Sequence, residues 1–259
     1  MESSVAALLE PVARLIAARP EPAISTRTGV AHAFGRPTAL AGDKIAAAMR
    51  LVADTAGLIV DLRDCHGGDT DTVALAQSYL VPARTHLLDM YTRDDNATEH
   101  VYATADLAGP RYLDKPVVIL IGDSTASGCE AFAYAMQSRR RATLVGGPTA
   151  GAAYFGSPRR LTDHFMAFVP VGRPIDPTTQ GDWEGGGVVP AVAAAAERAL
   201  DAGELSLAAH ARAARAVAAP SGCDAEAHRR ARSALTALAR PAAGRRSLDR
   251  GRAHHQDHT

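Results

Sequence analysis

Two short apolar runs constrain this chain more than any other feature, because each is bounded by turn residues and followed by a helix-compatible stretch. Gly57–Asp61 leads through Gly67 and Gly68 into a helical pattern from about Asp69 to Leu80. Lys115–Ile121 leads through a turn at residues 122–125 into a helical pattern from about Ser127 to Arg140. A strand that is apolar on both faces must be covered on both faces, as parallel strands of α/β proteins are. Ala142–Gly146 reads as a third strand and Phe165–Val171 as a fourth, paired with a strand around Gly156–Leu161. This alternation predicts an α/β domain with right-handed crossovers and with its sites at the carboxyl ends of the strands.

The flanks read differently. Residues 1–20 predict an amphipathic helix, with Val5, Leu8, Leu9, Val12, Leu15 and Ile16 near helical spacing. Prolines and glycines across residues 20–42 predict a loop, and Asp43 can cap a helix to about Ala53. Residues 190–202 predict an Ala-rich helix, and residues 205–259, dominated by Ala and Arg, predict a helical or disordered tail. The expected division is therefore 1–42, an N-terminal helix and loop; 43–204, the core; and 205–259, the tail.

Composition removes several function classes. Twenty-eight basic residues balance 28 acidic ones, which argues against a nucleic-acid partner. No stretch of about 18 apolar residues is present, so no membrane span is expected. The N-terminus lacks the pattern of a signal peptide, since Glu2, Glu10 and Arg14 interrupt it, and a cytoplasmic protein is the resulting expectation. Cys65, Cys129 and Cys223 are odd in number and widely spaced; they predict small buried or semi-buried thiols, and neither a disulfide framework nor a zinc motif. The terminal His254, His255 and His258 match no recognised ligand spacing, and no metal site and no cofactor are expected.

Three segments carry candidate chemistry. Gly67 and Gly68 sit where a buried strand reaches the mouth of a helix, and glycines there let backbone N–H groups face a ligand. Ser127 sits at the start of the helix after the second strand, where the positive end of the dipole and free N–H donors suit a developing oxyanion. Glu184 lies between Trp183 and three glycines. Each has a plainer reading: an N-cap for Ser127, a tight connection for the glycines, a solvated loop acid for Glu184. Ser124 does not fit the GxSxG elbow, because Ala126 stands where the closing glycine belongs.

Taken in order, these segments resemble the C-terminal processing (tail-specific) serine peptidase family, in its tricorn-like or interphotoreceptor-retinoid-binding-protein-like branch. The resemblance rests on Asp61-Leu62-Arg63 with Gly67-Gly68 and on Thr125, Ser127, Gly128 and Glu130. It continues through Thr149 to Gly151, Pro170 to Gly172, and Trp183-Glu184 with Val188 and Pro190, over about residues 43–200. It implies a crotonase-like core of βαβ units and a serine-type peptidase acting on peptides or protein C-terminal regions. Ser127 would be the nucleophile, and the amides of Gly67 or Gly68 and of Gly128 would form the oxyanion hole. One branch of the family activates the serine with a Lys, but Ala152 occupies that position here, and the only lysines are Lys44 and Lys115.

The other branch uses a His supported by an acid. Glu184 carries over as the acid, and His32 is the candidate base because it alone precedes the first core strand; His66, beside the glycine turn, is the second candidate, and His164 reads as a hairpin tip. No PDZ-like domain fits between residues 1 and 57. The resemblance thus implies a peptide or protein substrate, no membrane partner and an open question of homo-oligomerisation. Two competing readings stand beside it. One is a non-catalytic module of the same fold that binds peptides or apolar ligands; the other is a crotonase-type acyl-CoA enzyme, which gives no role to Ser127.

Overall fold

The computed structural model describes residues 15–18, 34 and 36–218. Two sheets organise it. The first has the strand order β1 (Leu15–Ala18), β2 (Gly57–Asp61), β5 (Val117–Ile121), β6 (Thr143–Gly146), β9 (Val192–Ala193). Here β2, β5, β6 and β9 run parallel, and β1 pairs antiparallel at the edge. The second sheet is antiparallel, in the order β4 (Ala97–Tyr102), β3 (His86–Thr92), β8 (Met166–Ile175), β7 (Phe155–Arg160). The helices are α1 (Thr38–Val52), α2 (Thr70–Ser78), α3 (Gly128–Ser138) and α4 (Ala199–Ala218), the last preceded by a 3₁₀ turn at Ala196–Arg198. The fold is therefore mixed α/β, with one largely parallel and one antiparallel sheet.

The parallel sheet is buried on both faces, and the two-residue period of its strands assigns each side chain to a layer. Leu58, Val60, Ile119, Ile121 and Leu144 join the cluster under α1, α2 and α3. Ile59, Val118, Leu120 and Val145 point the other way, into a smaller cluster closed by Leu207 of α4. Helix α4 lies close to the strands: a Cβ on Gly203 would stand 2.9 Å from Leu120 Cδ2, and one on Gly57 would stand 2.6 Å from Leu207 Cδ1.

Several expectations shift. Leu15–Ala18 is a strand paired with β2, not part of a helix; the rest of residues 1–20 lies outside the described residues. The helix expected over residues 190–202 begins only at Ala199, because Val192 and Ala193 pair with Val145 and Gly146 as β9. The boundary placed at residue 204 falls inside α4, whose buried Leu207 belongs to the core. Helix α1 starts at Thr38, ahead of Asp43. The hairpin β3–β4 has no counterpart among the sequence expectations. Among the described residues, no helix is long and apolar enough to cross a membrane.

The antiparallel sheet is clamped to the end of α3. Arg139 Nη1 bonds Asp176 Oδ2 at 2.9 Å, and Arg139 Nη2 donates to the carbonyls of His86 and Leu87. Asp176 is fully buried, and its Oδ1 accepts from the amides of Thr178 and Thr179.

If α4 is the second cover of the parallel sheet, Leu207→Ala should cost about 2–5 kcal/mol. Leu205→Ala, on the exposed side of the same helix, should change stability by no more than about 0.5 kcal/mol. Urea unfolding of the two variants checks this, and equal effects would mean that α4 does not dock there.

Candidate active site

The turn after β5 delivers Ser127 to the head of α3, with the backbone at φ 50° and ψ −123°. This conformation is unfavourable for a residue with a Cβ, and such strain persists only where the surroundings over-determine it. Several bonds do so here. Thr125 Oγ1 donates to Leu62 O at 2.8 Å and accepts from Gly122 N at 3.0 Å. Ala126 N donates to Cys65 O, and Ala150 N donates to Thr125 O, each at 3.0 Å. Ser127 N itself donates to Glu130 Oε2 at 2.8 Å.

The glycine turn lies directly against this serine. Gly67 has φ 121°, and a Cβ built there would stand 2.8 Å from Ser127 Cβ and 3.2 Å from Ser127 Oγ. A Cβ on Gly128 would stand 3.1 Å from the nitrogen of Gly68. Only residues without a side chain allow this approach. Among the described residues, the amides of Gly67, Gly68 and Gly128 donate to no acceptor. Ser127, Gly67, Gly68 and Gly128, four of the residues singled out in the sequence, are therefore brought to one place.

A disulfide fixes the same junction. Cys65, two residues before Gly67, is bonded to Cys129, two residues after Ser127, with the Cα atoms 6.0 Å apart. This corrects the expectation of isolated thiols. A sequence separation of 64 residues gives no hint of the pairing; the fold creates it by laying the β2 and β5 turns side by side. Cys223 lies outside the described residues.

Glu130, part of the family pattern, is given no role by sequence reasoning. Its side chain is completely buried and accepts four hydrogen bonds. Oε2 receives Ser127 N at 2.8 Å and Ala152 N at 2.9 Å; Oε1 receives Gly151 N at 2.7 Å and Thr149 Oγ1 at 2.5 Å. Thr149 Oγ1 in turn accepts Val188 N at 2.6 Å. The signal was present in the sequence, since Ser127 followed three residues later by Glu130 is a capping-box pattern. Arg63 has a comparable structural role. It forms a bidentate pair with Asp61, at 2.8 Å and 2.6 Å, and also donates to Ala196 O. The Asp61 hydrogen bond holds the guanidinium above its ordinary pKa.

The acid–base candidates are distributed less simply. Glu184 is exposed, and its Oε2 accepts the amides of Ala153 and Tyr154 at 2.8 Å and 2.9 Å, just past Ala152. Its neighbour Trp183 is buried and lines the same cavity as Ser127. His66 lies with Nδ1 3.1 Å from Ser124 O. A carbonyl only accepts, so Nδ1 carries the proton and Nε2 is the basic nitrogen. His164 sits in the β7–β8 connection, on the far side of β7 from Phe155. His32 lies outside the described residues. Among the described residues, no imidazole hydrogen-bonds Ser127 Oγ.

Beside Ser127 opens a cavity of about 120 Å³. Its walls are mainly apolar and come from the antiparallel sheet, two helices and the Trp183 loop, including Val73, Leu88, Met90, Val101 and Trp183. Apolar cavities of roughly 150 Å³ admit a benzene ring, so this one is on the scale of a single apolar side chain.

With that geometry in place, the comparisons with known proteins become informative. The sequence matches the profile of peptidase family S41 over residues 32–194, more than half the chain. The chain belongs to peptidase family S41. It is 36% identical over 110 residues to a carboxyl-terminal-processing protease of Synechocystis, a match covering 41% of this chain and 24% of that protein. Among solved structures, a Bacteroides fragilis protein assigned to the S41 proteases superposes with TM-score 0.55 at 20% identity, over 65% of this chain and 46% of that one. A lipoprotein from Streptococcus agalactiae superposes with TM-score 0.53 at 15% identity, over 67% of this chain and 63% of that one. The chain thus spans about a quarter of the length of the curated S41 relative and under half of the Bacteroides protein. At these identities the structural likenesses speak for the fold alone.

Two measurements test this S41 junction. In Glu130→Gln an NH₂ group must face two of the four donors, and leaving those donors without an acceptor should cost about 2–6 kcal/mol in denaturant unfolding, ~1–3 for each. A stability loss below that range would mean that the carboxylate is dispensable. Thiol titration of the unreduced, denatured chain should find one reactive cysteine out of three, and Cys129→Ala should lower stability by about 2–4 kcal/mol. Three reactive thiols would remove the disulfide.

Proposed function

We propose that this S41 chain is a serine-type peptidase that cleaves peptides or protein C-terminal regions through an acyl-enzyme on Ser127, on a crotonase-like core. The observation that carries the reading is the packing of Gly67 against Ser127 at the head of α3. In this mechanism Ser127 Oγ attacks the scissile carbonyl and passes its proton to a base. The negative charge then forms on the carbonyl oxygen, within reach of the amides of Gly128 and of Gly67 or Gly68. Each such donor contributes about 3 kcal/mol to transition-state stabilisation. Collapse expels the amine with a proton from the base, and water releases the acyl group by the same route. The cavity beside Ser127 would hold an apolar side chain of the substrate.

We assign the base to His32. Two features support this. The S41 match begins at residue 32. In addition, Phe34 is pinned to the glycine turn, with Asp69 N donating to Phe34 O at 2.5 Å. His32 is two residues from Phe34, a separation that spans at most about 7 Å of extended chain. Glu184 would then orient the imidazole through its Oε1 while Oε2 holds the Ala153–Tyr154 backbone. His66, whose Nε2 is the basic nitrogen, is the competitor for the role. The Cys65–Cys129 bond fits work in an oxidising compartment better than in the reducing cytosol.

A fluorophosphonate probe tests the assignment. The wild-type chain should label at Ser127, and Ser127→Ala should not label. His32→Ala should slow labelling by roughly 10²–10⁴-fold while His66→Ala leaves it near the parent rate. If the folded wild-type chain does not label, the non-catalytic binding module takes the place of the peptidase; the opposite ranking of the two histidine variants would transfer the base role to His66.

A further inference from the structure

The outer face of the hairpin β3–β4 carries a cluster that the peptidase reading does not use. His86 Nε2 lies 2.5 Å from Asp89 Oδ1, and His100 Nδ1 lies 2.6 Å from the same oxygen. One ligand atom from each of the three residues falls within 4.8 Å of the others. Asp89 and His100 are directly cross-strand and therefore share a face. By simple alternation His86 belongs on the opposite face with Leu88 and Met90. The register shift between His86 and Leu88 turns it over and brings it to Asp89. A bulge that re-aims one side chain is a device found where a site needs that side chain.

The ring positions are also held. Tyr102 stacks on His86 at 4.6 Å and 24°, and the two imidazoles meet edge-on at 5.5 Å. Arg139 fixes the main chain beneath by donating to the carbonyls of His86 and Leu87. Side-chain exposure rises from 16% at Asp89 through 31% at His86 to 54% at His100, so the cluster is anchored inside and open to solvent at one end.

We propose that His86, Asp89 and His100 form a binding site for a divalent first-row transition metal, with Zn²⁺ as the reference ion. Two imidazoles and one carboxylate are borderline donors that select zinc, copper, nickel or cobalt over magnesium and calcium. Three protein ligands leave a coordination position to solvent, and the exposed side at His100 is where it would lie. The site faces away from Ser127: Leu88, Met90 and Val101, on the other face of the same strands, line the cavity beside the serine. The ion is therefore structural. It ties the edge strand β4 to β3 and stiffens the cavity wall from behind. The spacing of these three residues, three and eleven apart, matches no metal motif, which is why the sequence carries no sign of the site.

The test uses the full chain with His254, His255 and His258 replaced by Ala, so that the terminal histidines do not compete. Titration with Zn²⁺ against a chromophoric chelator should show one tight equivalent, and Zn²⁺ should raise the melting temperature. Loss of an outer partner of a metal ligand already weakens binding by 10–100-fold, so His100→Ala should weaken it by more than about tenfold. That residue is half exposed on an edge strand, and the variant is expected to fold. His86→Ala and Asp89→Asn should act alike, and His164→Ala should have no effect. Bound Co²⁺ should give an intense visible band in the parent that is lost in His100→Ala. Absence of a tight equivalent in the folded parent, or binding that survives His100→Ala and His86→Ala, overturns the proposal. None of these readouts depends on peptidase activity.

Discussion

Four hydrogen-bond donors from two stretches of chain converge on the buried carboxylate of Glu130. Three are backbone amides, which cannot accept. The fourth, Thr149 Oγ1, already accepts Val188 N and so must donate to Glu130. The position therefore demands a group that only accepts and has capacity for four bonds, which an ionised carboxylate is and an amide is not. Burying such a group alone would be prohibitive. With its donors in place it becomes the fastener that fixes the Ser127 turn relative to the 149–152 turn and, through Thr149 and Val188, relative to the Trp183–Val188 loop. The segments of the S41 pattern, scattered over more than a hundred residues, are thus one hydrogen-bonded object.

The strain at Ser127 follows from this. A φ of 50° with ψ of −123° costs of order 1–3 kcal/mol. It is held by the Glu130 bond to the serine's own amide, by Thr125 bridging to Leu62, and by the disulfide on the following turn of chain. Glu130 links the serine's amide to the 149–152 turn, and the other two bind the serine's turn to the stretch that follows β2. The result is a hydroxyl presented at the surface from a backbone that has little freedom. The glycines opposite complete the arrangement by leaving out the atoms that would collide with it.

How much of this was legible depends on where the determinants lie along the chain. Strands β2, β5 and β6 announce themselves because both faces are buried and no polar residue interrupts them. The hairpin β7–β8 shows in its bracketing turns. The β3–β4 hairpin was silent: its outer face carries His86, Asp89 and His100, and Glu99 falls on the partly apolar inner face with Met90, so neither a clean alternation nor an apolar run is visible. The bulge at His86 breaks what period remains. Helix α4 was legible only in part: its Ala and Arg content allows a helix but not its docking, which Leu207 and the space left by Gly203 provide. The Cys65–Cys129 pair is invisible in principle to spacing, since only the parallel neighbours β2 and β5 bring it together. The closeness of Ser127 and the glycine turn was readable because particular residue types stand after the ends of adjacent parallel strands. The role of Glu130 was readable only in part, from its capping distance to Ser127, because three of its four donors come from elsewhere in the fold or depend on it.

The antiparallel sheet gives the site a second level of control. Its strands contribute Leu88, Met90 and Val101 to the cavity, while Arg139 and the buried Asp176 lock that sheet to the end of the same helix that begins at Ser127. One helix thus carries Ser127 at its head and the clamp on the antiparallel sheet at its tail. A displacement of the β3–β4 wall cannot be absorbed locally, because Arg139 holds the carbonyls of both His86 and Leu87 at the root of the hairpin. The outer, polar face and the apolar inner face of β3 share a main chain that is fixed at one end. The wall of the cavity is thus built from the hairpin as well as from helices α2 and α3.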